Sequence, residues 1–174
     1  MRTLIVYYSL TGNTQKIAEA LALAFKADNE RLQDRTVRSG VFGTLRTAYQ
    51  ALFSRPGEIR DVSADPGQYD LLILGGPVWV MKLAPPMRSY ILKEKKRFNK
   101  VAFFCTEGSS GGSGVFKAME ILCAKHPLAT LEVTEAEIKS AQYNEKIDSF
   151  VNTCGRAKAN IKATVAPKTH DPRL

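Results

Sequence analysis

Residues 4–14 constrain this chain more than any other stretch. Leu4-Ile5-Val6-Tyr7-Tyr8 runs straight into Ser9-Leu10-Thr11-Gly12-Asn13-Thr14, and a helical pattern begins at once. Five apolar, mostly β-favouring residues read as a buried strand. A strand, a tight polar turn and a helix N-terminus make an anion site, because unpaired N–H groups converge there and the helix dipole favours negative charge. Ser9, Thr11, Asn13 and Thr14 add donors without bulk, while Gly12 permits positive φ and close backbone approach. Helix capping is the plainer alternative, but capping needs one such residue and this loop supplies four.

Two common phosphate loops are excluded by inspection. No Gly-Lys-Ser/Thr ending follows the first strand, and no Gly-x-Gly-x-x-Gly does either. The 174 residues are 44% hydrophobic, enough for one domain with a full core. We expect that domain to occupy residues 1–162, with a frayed tail over 163–174 where Lys, Pro, Thr and His lose periodicity. No apolar run approaches the ~20 residues of a membrane span. Cys105, Cys123 and Cys154 are odd in number and widely spaced. With no signal-peptide layout at the N-terminus, they suggest reduced thiols in a cytoplasmic protein.

The formal charge is +8. Lys93, Lys95, Lys96, Arg97 and Lys100 form one basic cluster opposed by Glu94, and Arg31, Arg35, Arg38 and Arg46 a looser one. No aromatic-studded basic strand or recognition helix accompanies them, which argues against nucleic acid. A solvated helix end or a surface for an acidic redox partner remains.

Strand and helix signals alternate, which argues for an α/β fold with a parallel sheet. Ile17, Ala20, Leu21, Ala24 and Phe25 mark a half-buried helix after the first strand. A weak strand is expected around Glu30–Thr36, and a helix through Val41, Leu45, Ala48 and Leu52, stopped by Pro56-Gly57. Phe42, Tyr49 and Phe53 add a second stripe to that helix, read as core or as a dimer or substrate-pocket wall. Tyr69–Leu74, Val101–Cys105 and Thr130–Thr134 are the remaining strands. A helix follows Pro85-Pro86, another carries Val115, Ala118, Met119 and Leu122, and the last carries Ile147, Phe150, Val151, Cys154 and Ile161. Five strands and about five helices suit the doubly wound order 2-1-3-4-5. That order brings the loops after strands one, three and four, residues 9–14, 75–86 and 106–114, to one sheet edge.

The second loop, Gly75 to Pro86, has an irregular backbone fixed by glycines and prolines and carries Trp79, the one tryptophan of the chain. An aromatic and apolar segment beside a phosphate site suits a flat ring system, although a tryptophan is equally at home in a core. The third loop, Thr106 to Gly114, is poor in side chains and lets N–H groups approach a ligand, unless it is simply a flexible surface loop. Cys105 precedes it, but the sixth residue on is Gly111 rather than arginine, so a phosphatase loop is excluded. His126 and His170 have no nucleophile or metal partner at recognisable spacing. No metal site and no catalytic side chain is indicated.

The first loop resembles the Ser/Thr-x-Thr-Gly-x-Thr phosphate turn of flavodoxins and related FMN proteins, and the match is complete. The resemblance extends over roughly residues 2–155. It implies a five-stranded flavodoxin-like sheet holding FMN, with Ser9, Leu10, Thr11, Gly12, Asn13 and Thr14 on the phosphate. It further implies Pro77, Val78, Trp79, Met81 and Lys82 along the flavin, and Thr106, Glu107 and Gly108 at its pyrimidine edge. Met81 stands where the family often has glycine, and the third loop lacks the stacking tyrosine of many small flavodoxins. Two functions follow: an oxidoreductase passing electrons from NAD(P)H or another donor to a quinone or other small aromatic acceptor, and a one-electron carrier between proteins. A scaffold without FMN is a third, and a homodimer is compatible with all. A partly screened charge ~10 Å from a flavin is worth roughly 1 kcal/mol, so lysines near the ring, Lys82 among them, would raise its potential and favour the enzyme.

Overall fold

The computed structural model describes residues 1–33 and 58–165, with side chains through residue 156. The expected helix over Val41–Leu52, Arg35, Arg38, Arg46 and His170 lie outside the described residues.

The first strand, β1 (Thr3–Tyr7), is buried at every position and enters α1 (Asn13–Phe25) through the polar turn. Next comes β2 (Asp28–Arg31), two residues earlier than the sequence suggests. Its residues are polar and mostly exposed, as an edge strand allows, so no alternation announces it. The third strand, β3 (Leu71–Trp79), continues beyond Leu74 through Gly75-Gly76-Pro77 and turns back as β4 (Lys82–Leu83). There follow α2 (Pro85–Glu94), β5 (Lys100–Glu107), α3 (Gly112–Cys123), β6 (Thr130–Thr134), α4 (Glu135–Ser140) and α5 (Asn144–Val165).

The main sheet is parallel, in the order β2-β1-β3-β5-β6, with β4 an antiparallel appendage of β3. Apart from that hairpin, this is the doubly wound order expected. Alternating side chains supply two cores. Leu4, Val6, Leu72, Leu74 and Phe103 pack against Met87, Tyr90 and Ile91 of α2 and Val115 and Met119 of α3. Ile5, Leu71, Ile73, Phe104 and Val133 pack against Ile17, Ala18 and Leu21 of α1 and Ile147, Phe150 and Cys154 of α5. In α1 the inward stripe runs through Ala18, and Ala24 is exposed. Burial on both faces is why β1, β3 and β5 read as continuous apolar runs.

Candidate functional site

Parallel register carries every core strand toward the same edge. Tyr7 pairs with Gly75, Gly75 with Phe104, Pro77 with Thr106 and Thr106 with Val133. The connections after β1, β3 and β5 therefore converge, as chain order predicts. Between them lies an open crevice of about 150 Å³.

The first wall is the turn into α1. Ser9 is buried, and its Oγ accepts from the N–H groups of Gly12 and Gln15, both at 3.2 Å. Ser9 thus folds the turn and does not line the crevice. Arg31 braces the turn from behind, donating to the Ser9 carbonyl at 2.9 Å and to Gln15 Oε1 at 3.0 Å. Gly12 has φ +95°, and a Cβ built on it would meet nothing within 4 Å. Among the described residues, the N–H groups of Leu10, Thr11, Asn13 and Thr14 have no acceptor. Four unsatisfied donors at a helix N-terminus fit a phosphate group.

Side chains divide the work differently from the sequence expectation. Leu10, Thr11, Asn13 and Thr14 line the crevice. The Thr14 hydroxyl, however, lies 2.7 Å from Thr106 Oγ1 in a buried hydrogen bond that ties the first loop to the third. Asn13 Nδ2 donates to Glu135 Oε1 at 3.3 Å.

The second wall is Pro77, Val78 and Trp79, all lining the crevice. Trp79 meets Tyr8 edge-on, with ring centroids 5.4 Å apart, so its indole is fixed by packing. The hairpin turn is Val80-Met81, with φ +49° and +59°. Both residues occupy left-handed backbone that Asn-Gly would adopt at lower cost. Both are exposed at the rim, Met81 by 65%, and neither Met81 nor Lys82 lines the crevice.

Thr106, Glu107 and Gly108 form the third wall. A Cβ on Gly111 would lie 2.8 Å from Val78 Cγ1, so the third loop packs directly on the hairpin. Glu135 and Ile138 of α4 complete the lining, and sequence reasoning missed both. Their element was announced, though, by Thr134-x-x-Glu137. Thr134 Oγ1 accepts from the Glu137 N–H at 3.3 Å, and Glu137 Oε2 accepts from the Thr134 N–H at 2.8 Å. Lys146, 2.7 Å from Glu137 Oε1, together with that capping bond holds the Glu137 carboxyl below its usual range.

The three cysteines are buried and free. Burial pushes the Cys123 thiol up to about 12 and the Cys154 thiol to about 11. His126 is an exposed partner of Glu120, at 2.6 Å, away from the crevice. Among the described residues no helix is long and apolar enough to cross a membrane.

A family model described as Flavodoxin matches residues 2–154. No curated protein matches the chain significantly. Among solved structures, a flavoprotein from Lactobacillus acidophilus in complex with FMN is 23% identical; the match covers 80% of this chain and 97% of that one, at TM-score 0.63. Oxidised flavodoxin 2 from Bacillus cereus is 17% identical over 90% and 99% of the two chains, at TM-score 0.53. Two-electron-reduced flavodoxin from Megasphaera elsdenii is 16% identical over 90% and 98%, at TM-score 0.54.

Proposed function

The chain belongs to the flavodoxin family, and from that premise we propose that it binds FMN and passes electrons from NAD(P)H or another reduced donor to a quinone or similar small acceptor. The observation that carries this reading is the meeting, on one edge, of four unsatisfied N–H groups and an aromatic wall. Leu10, Thr11, Asn13 and Thr14 would hold the phosphate through backbone donors, with Gly12 giving close approach. Pro77, Val78 and Trp79 offer a flat apolar surface, and Thr106, Glu107 and Gly108 a polar edge opposite. When bound, FMN supplies one- and two-electron redox chemistry, and the protein supplies position and electrostatics. Leu10, which lines the crevice, and Val80 and Met81 of the hairpin turn next to Trp79 are exposed apolar side chains that a planar acceptor would meet.

A carrier between redox proteins is the second reading, and one observation favours it. Among the described residues, the ionisable side chains lining the crevice are Glu107 and Glu135, with no lysine or arginine. Acidic surroundings disfavour added electrons and lower a flavin's potential.

Anaerobic mixing of FMN-loaded protein with NADPH or NADH separates the two. Visible bleaching without an added reductase, reversed by a quinone, is the expected result. A flavin that stays oxidised with both nucleotides, yet accepts electrons from a partner reductase, leaves the carrier. Protein that retains no FMN at micromolar concentration overturns both readings.

A further inference from the structure

Beneath the third loop lies a cluster that FMN binding does not explain. Cys105 Sγ and carboxylate oxygens of Glu107 and Glu132 all lie within 4.8 Å of one another. The sheet puts them there. Cys105 pairs with Glu132 across β5 and β6, and Glu107 is two residues further along the same face. That face is covered by α3, and Glu107 is only 5% exposed. Two carboxylates placed so close cannot both ionise without strong mutual repulsion.

Their environments assign them different states. Glu107 Oε2 accepts from the Gly112 N–H at 2.8 Å, at the N-terminus of α3, where helix dipole and donor both favour negative charge. A hydrogen bond to Glu107, with burial second, holds the Glu132 carboxyl above its usual range. The Gly112 N–H thus faces Glu107, and of the two carboxyls Glu132 is the one whose surroundings favour a proton. Gly112 is what permits the contact: a Cβ there would lie 2.3 Å from Glu132 Oε2 and 3.0 Å from Cys105 Sγ.

The cluster has a buried thiol at its base and open surface at both carboxyls. Cys105 is fully buried, and its thiol is pushed well up by burial. Lys146 of α5 donates at 3.0 Å to the Glu132 backbone carbonyl and pairs with Glu137 of α4, and its charge opposes the rise at Glu132 without outweighing Glu107 and burial. Glu107 lines the crevice, as does Glu135. Glu132 is half-buried and borders a second open pocket beside Lys146, so solvent protons reach the pair from both sides.

We propose that Glu107 and Glu132 form a redox-linked proton site: a pair that holds one proton while the crevice is neutral and takes up a second when a bound flavin gains negative charge. The proposal rests on the FMN reading. The step is protonation of the Glu107 carboxylate by a solvated proton drawn from bulk solvent. The flavin's electrons come from its donor, the one bond the protein makes is the Glu107 O–H, and no protein group is oxidised. Among the described lining residues there is no lysine or arginine, so charge added in the crevice raises the proton affinity of its carboxylates, of which Glu107 is the buried one.

Two variants test it without removing the fold's contacts. Glu107→Gln keeps an acceptor for the Gly112 N–H, and Glu132→Gln keeps a donor to Glu107. In the flavin-free protein at neutral pH, infrared spectroscopy should show a protonated-carboxyl C=O band that Glu132→Gln abolishes; a wild type without that band overturns the proposal. In the FMN-loaded protein, spectroelectrochemistry should show a pH window in which wild type has the steeper midpoint potential. Each tenfold change in proton activity there moves the two-electron midpoint by about 30 mV more than in Glu107→Gln. Equal slopes, with FMN bound in both proteins, overturn the linkage and leave the pair a fixed charge. Protein that retains no FMN overturns the functional reading, and the linkage falls with it.

Discussion

At the scale of single residues, one backbone conformation decides whether the crevice can hold an anion. Gly12, at φ +95°, is the N-cap of α1 and aims the first-turn donors into one space. Alanine there meets no neighbour within 4 Å, so the fold loses only the left-handed backbone cost of roughly 1–2 kcal/mol. Relaxation of that strain turns the peptide and misdirects at least one charge-assisted N–H bond, worth roughly 1.5–3 kcal/mol. Gly12→Ala should therefore keep a cooperative urea transition with a modestly lowered midpoint, while FMN affinity, measured by quenching of flavin fluorescence, falls by about tenfold or more. Unchanged affinity would mean that the anion sits elsewhere. This residue was legible in the sequence because a glycine amid four small polar residues has few other uses. The division of labour around it was not. Ser9 reads as a ligand but folds the turn through two N–H bonds, and Thr14 reads as a ligand but bonds Thr106, 92 positions away.

Among the elements, the β3–β4 hairpin is where local sequence and structure disagree. Gly75-Gly76-Pro77 reads as the end of a strand, yet pairing with β5 continues through Pro77 and the strand reaches Trp79. Proline is tolerated because pairing with β1 ends at Gly75, which leaves that side of β3 an edge, and the two-residue turn has neither Asn nor Gly to announce it. Val80 and Met81 hold positive φ instead, and the third loop packs against them. Met81→Gly should relieve this strain while losing little packing from a side chain that is 65% exposed. Set against the added freedom of the unfolded chain, the gain is roughly 0.5–1 kcal/mol, read as a higher urea midpoint in flavin-free protein. A lower midpoint would show that Met81 contributes contacts that outweigh its backbone. The same principle explains the other misplacement: β2 is an edge strand of Asp-Asn-Glu-Arg, without apolar alternation, and the sequence put it two residues late. By contrast β1 and β5 were legible as continuous apolar runs and β6 as an alternating one, whereas α4, missed in the sequence, carried only a capping box to signal it.

For the whole molecule, the net charge of +8 misleads about the site. Lys95, Lys96 and Arg97 form a short helical turn immediately before β5, whereas the crevice lies at the far end of that strand. Eight residues from Lys100 to Glu107 span about 23 Å at ~3.3 Å each. That is nearly three Debye lengths at physiological salt, where one is about 8 Å. The cluster is also partly neutralised, Lys93 by Asp61 at 3.0 Å and Arg97 by Glu94 and Asp65. A partner docked on it would stand a strand's length from the crevice, so the lysines argue neither for a raised flavin potential nor for an electron-transfer surface. Reversing two of them, Lys95→Glu with Lys96→Glu, halves the net charge and should leave FMN affinity within about twofold at ~0.15 M salt, where such distances are screened. One charge at the site should matter more. Glu135 lines the crevice beside Asn13, so its carboxylate repels a bound phosphate; Glu135→Gln should tighten FMN by a few-fold, with the gain shrinking as salt rises. Titrating FMN into both variants at low and high salt sets the two predictions against each other. A larger effect from the distant pair would mean that FMN responds to the field of the whole surface and not to the acids that face it.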